Sequence, residues 1–315
     1  MLLRVLTRLG VLLASLLASS VVVFACMAVL PGSPARVALG VNATDEAVAE
    51  LEREFGLDDP KPVQYWRWVT GLVRFDLGES YISRAPIAPQ IADRFQVTLW
   101  LVVCAMVLAL LVAVPLGTLM AVRHRQLSGL VLSTLSQVGV SIPAFLAGLL
   151  LVAVFAVGLG WLPSGGWTPP AQDPALFLRQ LVLPVTSLAL VQAAVLARYV
   201  RSSVLEVMRE DYIRTARAKG LTPMRALVRH GLRNAAIPVV TVLGLQLATL
   251  LVGAVVVERV FVIPGLGSGL LDAVANRDLL MVQDIVMLLV AAVLVVSFVV
   301  DLLYLVIDPR LRGAR

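Results

Sequence analysis

Lysine is nearly absent from this 315-residue sequence: Lys61 and Lys219 are the only two. Neither lies in a Gly-x-x-x-x-Gly-Lys-Ser/Thr stretch, so the chain lacks the usual loop whose backbone amides and lysine cradle nucleotide phosphates. Histidine is as scarce, His124 and His230 alone, and no serine is paired with either, which argues against an intramembrane serine protease. The two cysteines, Cys26 and Cys104, sit inside apolar runs with no second cysteine or histidine at a metal-ligand spacing. They read as small buried hydrophobes, and neither a disulfide nor a metal site is implied. Charged residues make up only 15% of the chain.

Apolar residues take up the difference. At 59% hydrophobic and a mean hydropathy of +0.92, the chain carries more apolar surface than one soluble core of this length buries. That surface falls in long Leu, Val and Ala runs rather than the short alternations of a membrane barrel, so the expected fold is all-α and membrane-spanning. The net charge of +6 does not imply nucleic acid, because the basic residues cluster in short loops between apolar runs, where membrane topology explains them.

Six runs are long enough to cross the hydrocarbon at about 1.5 Å per residue. They are residues 9–30, 97–122, 130–157, 181–200, 237–257 and 281–307. The first follows Arg4 and Arg8 and reads as a retained helix, with a cleaved signal peptide as the lesser alternative. Arg123 and Arg125 after the second run, Arg201 through Arg233 after the fourth, and Arg310, Arg312 and Arg315 at the end put both termini on the cytoplasmic side. The expected division is a first segment and helix at 1–30, an extracytoplasmic loop domain at 31–96, a transmembrane core at 97–310 and a tail at 311–315. In the loop domain Thr44 caps a short helix that ends at Gly56 and aligns Val48, Leu51 and Phe55 on one face. Tyr65, Trp66 and Trp68 read as interfacial aromatics.

The informative loop, 204–238, joins the fourth and fifth spans. Leu205, Met208, Tyr212 and Ala216 form an apolar stripe ending at Gly220, and Thr222 and Pro223 open a second short helix. Its expected apolar face is Met224, Leu227 and Val228, with Arg225, Arg229 and Arg233 four residues apart on the other. Like charges at that spacing destabilise a lone helix by roughly 0.2–0.5 kcal/mol per pair, so the stripe calls for an anionic neighbour. Lipid headgroups satisfy that requirement as well as a protein does.

The stretch Glu210-Asp211-Tyr212-Ile213-Arg214-Thr215-Ala216-Arg217-Ala218-Lys219-Gly220-Leu221 closely resembles the ATPase-docking loop of ABC-transporter permeases of the dipeptide/oligopeptide/nickel subgroup. Aligned on Gly220, their Glu-Ala-Ala…Gly pattern falls on Arg214, Thr215 and Ala216, and His230, Arg233 and Asn234 complete it. Leu30-Pro31-Gly32-Ser33-Pro34, Ser141-Ile142-Pro143-Ala144-Phe145, Pro264-Gly265-Leu266-Gly267 and Asp308-Pro309-Arg310 are similar to further family positions. The sequence departs from that pattern at Leu280, where proline is common, at Asp284, where glycine is common, and at Ser297, where asparagine is.

The resemblance implies a type I ABC importer permease fold of six transmembrane helices, with a cytoplasmic coupling helix and a small extracytoplasmic insertion. It implies a permease subunit without catalysis of its own in the bacterial inner membrane, carrying peptides or, as alternatives, nickel, haem or another solute. The implied partners are a second homologous permease, two cytoplasmic ATPases that hold ATP and Mg, and an extracytoplasmic solute-binding protein. Coupling would then rest on Asp211, Tyr212, Arg214, Thr215, Ala216, Lys219, Gly220, Leu221, Arg225, Arg229, His230, Arg233 and Asn234. Among polar residues in the spans, Gln137, Ser141, Gln192, Gln246 and Thr249 are candidates for a translocation path, with helix-to-helix hydrogen bonding as the competing reading. An ATP-independent, proton-coupled transporter would need buried titratable partners, and only Asp301 and Asp284 offer themselves. The glycine-rich 265–269 stretch reads as a re-entrant turn rather than a phosphate loop.

Overall fold

The computed structural model describes residues 2–30, 32–40 and 43–307. Pro31, the Asp308-Pro309-Arg310 motif, Arg312, Arg315 and the 311–315 tail therefore lie outside the described residues. Among those described, the elements are helices: α1 Leu2–Val29, α2 Pro34–Leu39, α3 Asp45–Glu54, α4 Lys61–Arg74, α5 Ile87–Val122, α6 Leu127–Ser141, α7 Ala144–Leu151, α8 Pro174–Val207, α9 Asp211–Ala218, α10 Pro223–Ala226, α11 Leu232–Val260, α12 Leu266–Ala275 and α13 Leu279–Ile307. Five helices are each long and apolar enough to cross a bilayer, and a sixth span results if the bent pair formed by α6 and α7 counts as one.

That bend corrects the continuous run expected over 130–157. The two halves diverge by 98°, and the break falls at Ile142, which is extended (φ −89°, ψ 119°) before Pro143. Proline disfavours helical backbone in the residue before it and supplies no N–H of its own, so the apolar run continues while the helix stops. Beyond Leu151 the chain winds as a π-helix through Val152–Gly158.

The spans also reach past their apolar windows. Asp173 accepts from the Ala175 and Leu176 amides and, with Pro174 at the first position, starts α8 seven residues before the window at 181. Capping chemistry, rather than hydropathy, fixes that boundary.

The chain divides into two compact units, one of residues 99–263 with the chain from Val296, the other of residues 2–98 with 264–295. In the first, α8 is the central element and packs on α6, α7 and α11. Close approach is set by small residues: Gly165 lies against the Phe261 carbonyl, which accepts from the Gly166 amide at 2.9 Å.

In the second unit the insertion is ordered around its own small core. Thr44 accepts from the Ala47 amide to start α3, whose Val48 and Leu51 are buried with Ala35 of α2 while Phe55 packs on them. Trp68 departs from the interfacial reading. It is buried with Val23 and Met287, stacks on Phe24 at 6.3 Å, and donates Nε1–H to Asp284. Trp66 next to it is exposed. The glycine-rich 265–269 stretch is the opening turn of α12, not a turn between elements. A Cβ at Gly269 would lie 2.7 Å from Arg94 Cδ, so glycine there admits the arginine stem over the helix. Cys26, read as buried, is exposed on α1.

Candidate functional site

The loop between α8 and α11 is held by a core of its own. Val200, Val204 and Val207 at the end of α8 are buried with Ala121 of α5, Ile213 and Ala216 of α9, Ala226 and Leu227, and Ala235 and Val239 of α11. Val204, Ile213, Ala226 and Leu227 have no exposed surface at all. Full burial of the Val204, Ile213 and Leu227 side chains contributes roughly 1.5–3 kcal/mol each, so the loop is tied firmly to the ends of the long helices. Gly231 permits the closest approach, since a Cβ there would sit 2.9 Å from both Val207 Cγ1 and Leu227 Cδ1.

Local chemistry shapes the loop as the residues dictate. Asp211 stands in the first turn of α9, where a negative charge complements the helix dipole, and its carboxylate takes Arg214 at 3.3 Å. Thr215 donates its hydroxyl to the Asp211 carbonyl at 2.9 Å. After Lys219 the backbone turns at Gly220 with φ +92°, and nothing lies within 4 Å of where its Cβ would be. Glycine is used there for its backbone freedom alone. Thr222 accepts from the Arg225 amide and Pro223 takes the first position of α10. Across the loop, Asn234 Nδ2 donates to the Tyr212 hydroxyl at 2.9 Å.

Which residues face inward differs from the helical stripes read in the sequence. Ile213, absent from the expected stripe, is the fully buried anchor of α9, while Tyr212 is 38% exposed. In the second helix Met224 and Val228 are exposed, and Ala226 with Leu227 are buried. The π-helical turn Leu227–Gly231, which begins directly after α10, rotates the side chains within and after it, Val228 among them, away from a 3.6-residue register. Leu221 is half-buried against the core.

The outward surface accordingly carries Tyr212, Met224 and Val228 together with Arg214, Lys219, Arg225, Arg229, His230 and Arg233, all exposed. Among the described residues neither Arg225 nor Arg229 has an ion-pair partner.

The other candidate residues separate into two environments. Gln192 of α8 and Gln246 of α11 are both 7% exposed, and Gln246 Nε2 donates to Gln192 Oε1 at 2.6 Å. Thr249 donates to the Gln246 carbonyl at 2.9 Å. Gln137 and Ser141 are exposed on α6, and Ser141 donates back to the Gln137 carbonyl. The side chain that bridges α6 to α8 is instead Ser136, which donates to the Ala194 carbonyl at 2.9 Å.

Two family models cover nearly the whole chain: the binding-protein-dependent transport system inner membrane component over residues 113–313, and the N-terminal region of the same kind of membrane component over residues 1–102. This protein belongs to that family. It is an ABC importer permease. Among curated proteins, the permease is 42% identical over 308 residues to the glutathione transport system permease protein GsiC of Salmonella paratyphi A, covering 98% of each chain. It is 43% identical to the GsiC protein of Pectobacterium atrosepticum over 306 residues, 97% of each, and 41% identical to that of Escherichia coli over 308 residues, 98% of each. The solved structure of the MetNI methionine ABC transporter in inward-facing conformations contains a chain that matches the permease with a TM-score of 0.58 at 20% identity, covering 69% of this chain and 96% of that one. That likeness carries the fold, a type I importer permease.

Proposed function

We propose that this permease forms half of the translocation pathway of an ATP-driven importer for short peptides of the glutathione type, and that α9 and α10 seat its ATPase. The chain itself is not catalytic in this reading. A second homologous permease completes the pathway, two cytoplasmic ATPases hold ATP and Mg, and an extracytoplasmic solute-binding protein delivers the cargo. Both termini and the 204–238 loop lie on the cytoplasmic side, and the 31–96 segment lies outside.

The observation that carries the docking claim is the division of the loop into two faces. Ile213, Ala216, Ala226 and Leu227 fasten it to the ends of α5, α8 and α11, leaving Tyr212, Met224, Val228 and unpaired Arg225 and Arg229 outward. Exposed apolar side chains ringed by uncompensated arginines match an acid-rimmed groove on a partner better than water. A force applied to this face passes through the buried core to three long helices, the mechanical requirement for rocking a transporter between its states. The peptide assignment rests on the names of the GsiC relatives, which match along their full length.

The test is vanadate-sensitive, ATP-dependent uptake in proteoliposomes holding all subunits, with glutathione, a dipeptide and nickel as competing cargoes. Gly220→Pro, or Arg225→Glu together with Arg229→Glu, is expected to abolish ATPase pull-down and uptake while membrane insertion persists. Retained pull-down and uptake in those variants would refute the docking role. Uptake of nickel in preference to either peptide would refute the cargo.

A further inference from the structure

We propose that the cavity beside the insertion is a ligand site on the permease itself, taking a small zwitterion that joins a primary ammonium to an anionic group. The cavity has a volume of about 590 Å³ and is walled by the end of α1, the end of α3, α4, the 76–84 segment and the start of α13. Sites for small molecules commonly fall between roughly 300 and 1,000 Å³.

Three features define the chemistry. The first is Gln283 on α13, a wall residue 7% exposed whose carboxamide makes no hydrogen bond to any described residue. Its donor and acceptor are therefore free to meet whatever occupies the cavity. The second is charge of both signs on one wall: Glu54 pairs with Arg84 and Arg67 with Asp59, while Glu52 near the end of α3 and Lys61 at the start of α4 have no ion-pair partner among the described residues. The orientation of the two helices matches those charges. The C-terminal end of α3 favours a cation, and the N-terminal end of α4, which has no side-chain cap, favours an anion.

The third is an aromatic and apolar floor of Phe24, Trp68 and Tyr81. Burial and the neighbouring Asp278 push Tyr81 up to about 12, so its hydroxyl stays protonated and able to donate. An ammonium is attracted to aromatic rings as well as to Glu52. A purely anionic ligand would leave Glu52 uncompensated and a purely cationic one Lys61. A zwitterion satisfies both, and two sources supply that chemistry: the headgroup of phosphatidylethanolamine, or a free short peptide.

The experiment uses the assembled transporter in nanodiscs. One arm measures retained lipid by native mass spectrometry after reconstitution in phosphatidylethanolamine mixed with phosphatidylcholine, whose ammonium is fully methylated. The other measures dialanine binding by calorimetry in discs of phosphatidylcholine and phosphatidylglycerol only. Gln283→Leu removes the amide at similar volume, and Leu280→Trp fills the space from the same helix; assembly with the ATPases, followed by size exclusion, reports on folding. If Leu280→Trp does not assemble, Gln283→Leu decides the matter. At least tenfold selective retention of phosphatidylethanolamine, lost in the variants, supports the site with a lipid source. Dialanine binding that weakens at least tenfold in the variants supports it with a free zwitterion. Absence of both, or binding unchanged by the variants, overturns the proposal.

Discussion

The indole Nε1 of Trp68 donates to Asp284 Oδ1 at 2.7 Å, joining α4 to α13 through a carboxylate that is 1% exposed. The second oxygen, Oδ2, has no hydrogen-bond partner. Trp68→Phe keeps most of the packing on Phe24 but leaves the buried carboxyl group without its donor. That should cost about 1–3 kcal/mol, the usual penalty for an orphaned buried polar group. Asp284→Asn retains an oxygen acceptor for the indole and should cost less. In a double-mutant cycle, Trp68→Phe with Asp284→Leu should recover part of the single-variant loss, because both partners are then apolar. Thermal unfolding in detergent checks all three; equal losses for Trp68→Phe and Asp284→Asn would show that the hydrogen bond is not the source.

The Gln192–Gln246 pair makes a parallel case inside the first unit. Gln246→Leu strands the Gln192 carboxamide between α8 and α11, and roughly 0.6–2 kcal/mol is expected, the range for interhelical polar pairs in membranes. Replacing both by leucine should be milder than either single change. If these amides serve transport through direct contact with cargo, the double variant loses uptake at unchanged stability. If they serve packing alone, uptake follows stability.

How far the sequence carried can be judged from individual residues. The cap at Thr44, the reversal at Gly220 and the opening of α10 at Thr222 and Pro223 are legible because each depends on neighbouring residues only. The apolar runs located the five long spanning helices and the region of the bent pair α6 and α7 because hydropathy is additive along the chain. What was not legible is what depends on distant residues or on departures from the 3.6 period. Hydropathy is blind to the bend at Ile142, since both sides of Pro143 are equally apolar, although the proline itself was the available signal. Of the expected inner residues Leu227 is buried, joined by Ala226, whereas Met224 and Val228 face outward; Val228 lies in the π-turn after Ala226, and no single residue announces such a turn. Trp68 was separated from Asp284 by more than two hundred residues, so its burial could not be read from Tyr65 and Trp66 beside it.

Tyr81 gives a pH dependence with a definite sign. Burial, and after it the Asp278 and Asp284 carboxylates, disfavour the phenolate and raise its pKa from 10.0 to about 12. The unfolded chain releases this proton near pH 10. Between those values the folded state holds more protons than the unfolded one, so stability is unaffected below about pH 10 and falls as pH rises toward 12. Tyr81→Phe should remove that part of the alkaline loss. An ultraviolet absorbance titration should find one tyrosine ionising near pH 12, missing in the variant; a titration in which Tyr81→Phe removes a group near pH 10 would contradict the assignment.

Gly117 and Gly220 separate two reasons for glycine in this fold. A Cβ on Gly117 of α5 would lie 2.5 Å from the Ala197 carbonyl oxygen and 2.8 Å from Val200 Cγ1, both on α8. Backbone cannot rotate aside as a side chain can, so Gly117→Ala forces the two helices apart and should cost about 1–3 kcal/mol, as overpacking does. At Gly220 the space is open and only φ +92° is at stake, so Gly220→Ala should cost about 1 kcal/mol and act locally. Thermal unfolding of the assembled complex gives the first comparison. ATPase pull-down gives the second, because a change at Gly220 reorients α10 and its arginines whereas Gly117→Ala acts on helix packing. Gly220→Ala should therefore weaken pull-down more than it lowers the melting temperature, and Gly117→Ala should do the reverse. The opposite ranking would mean that the turn at Gly220 is a packing feature and not a device for presenting α10.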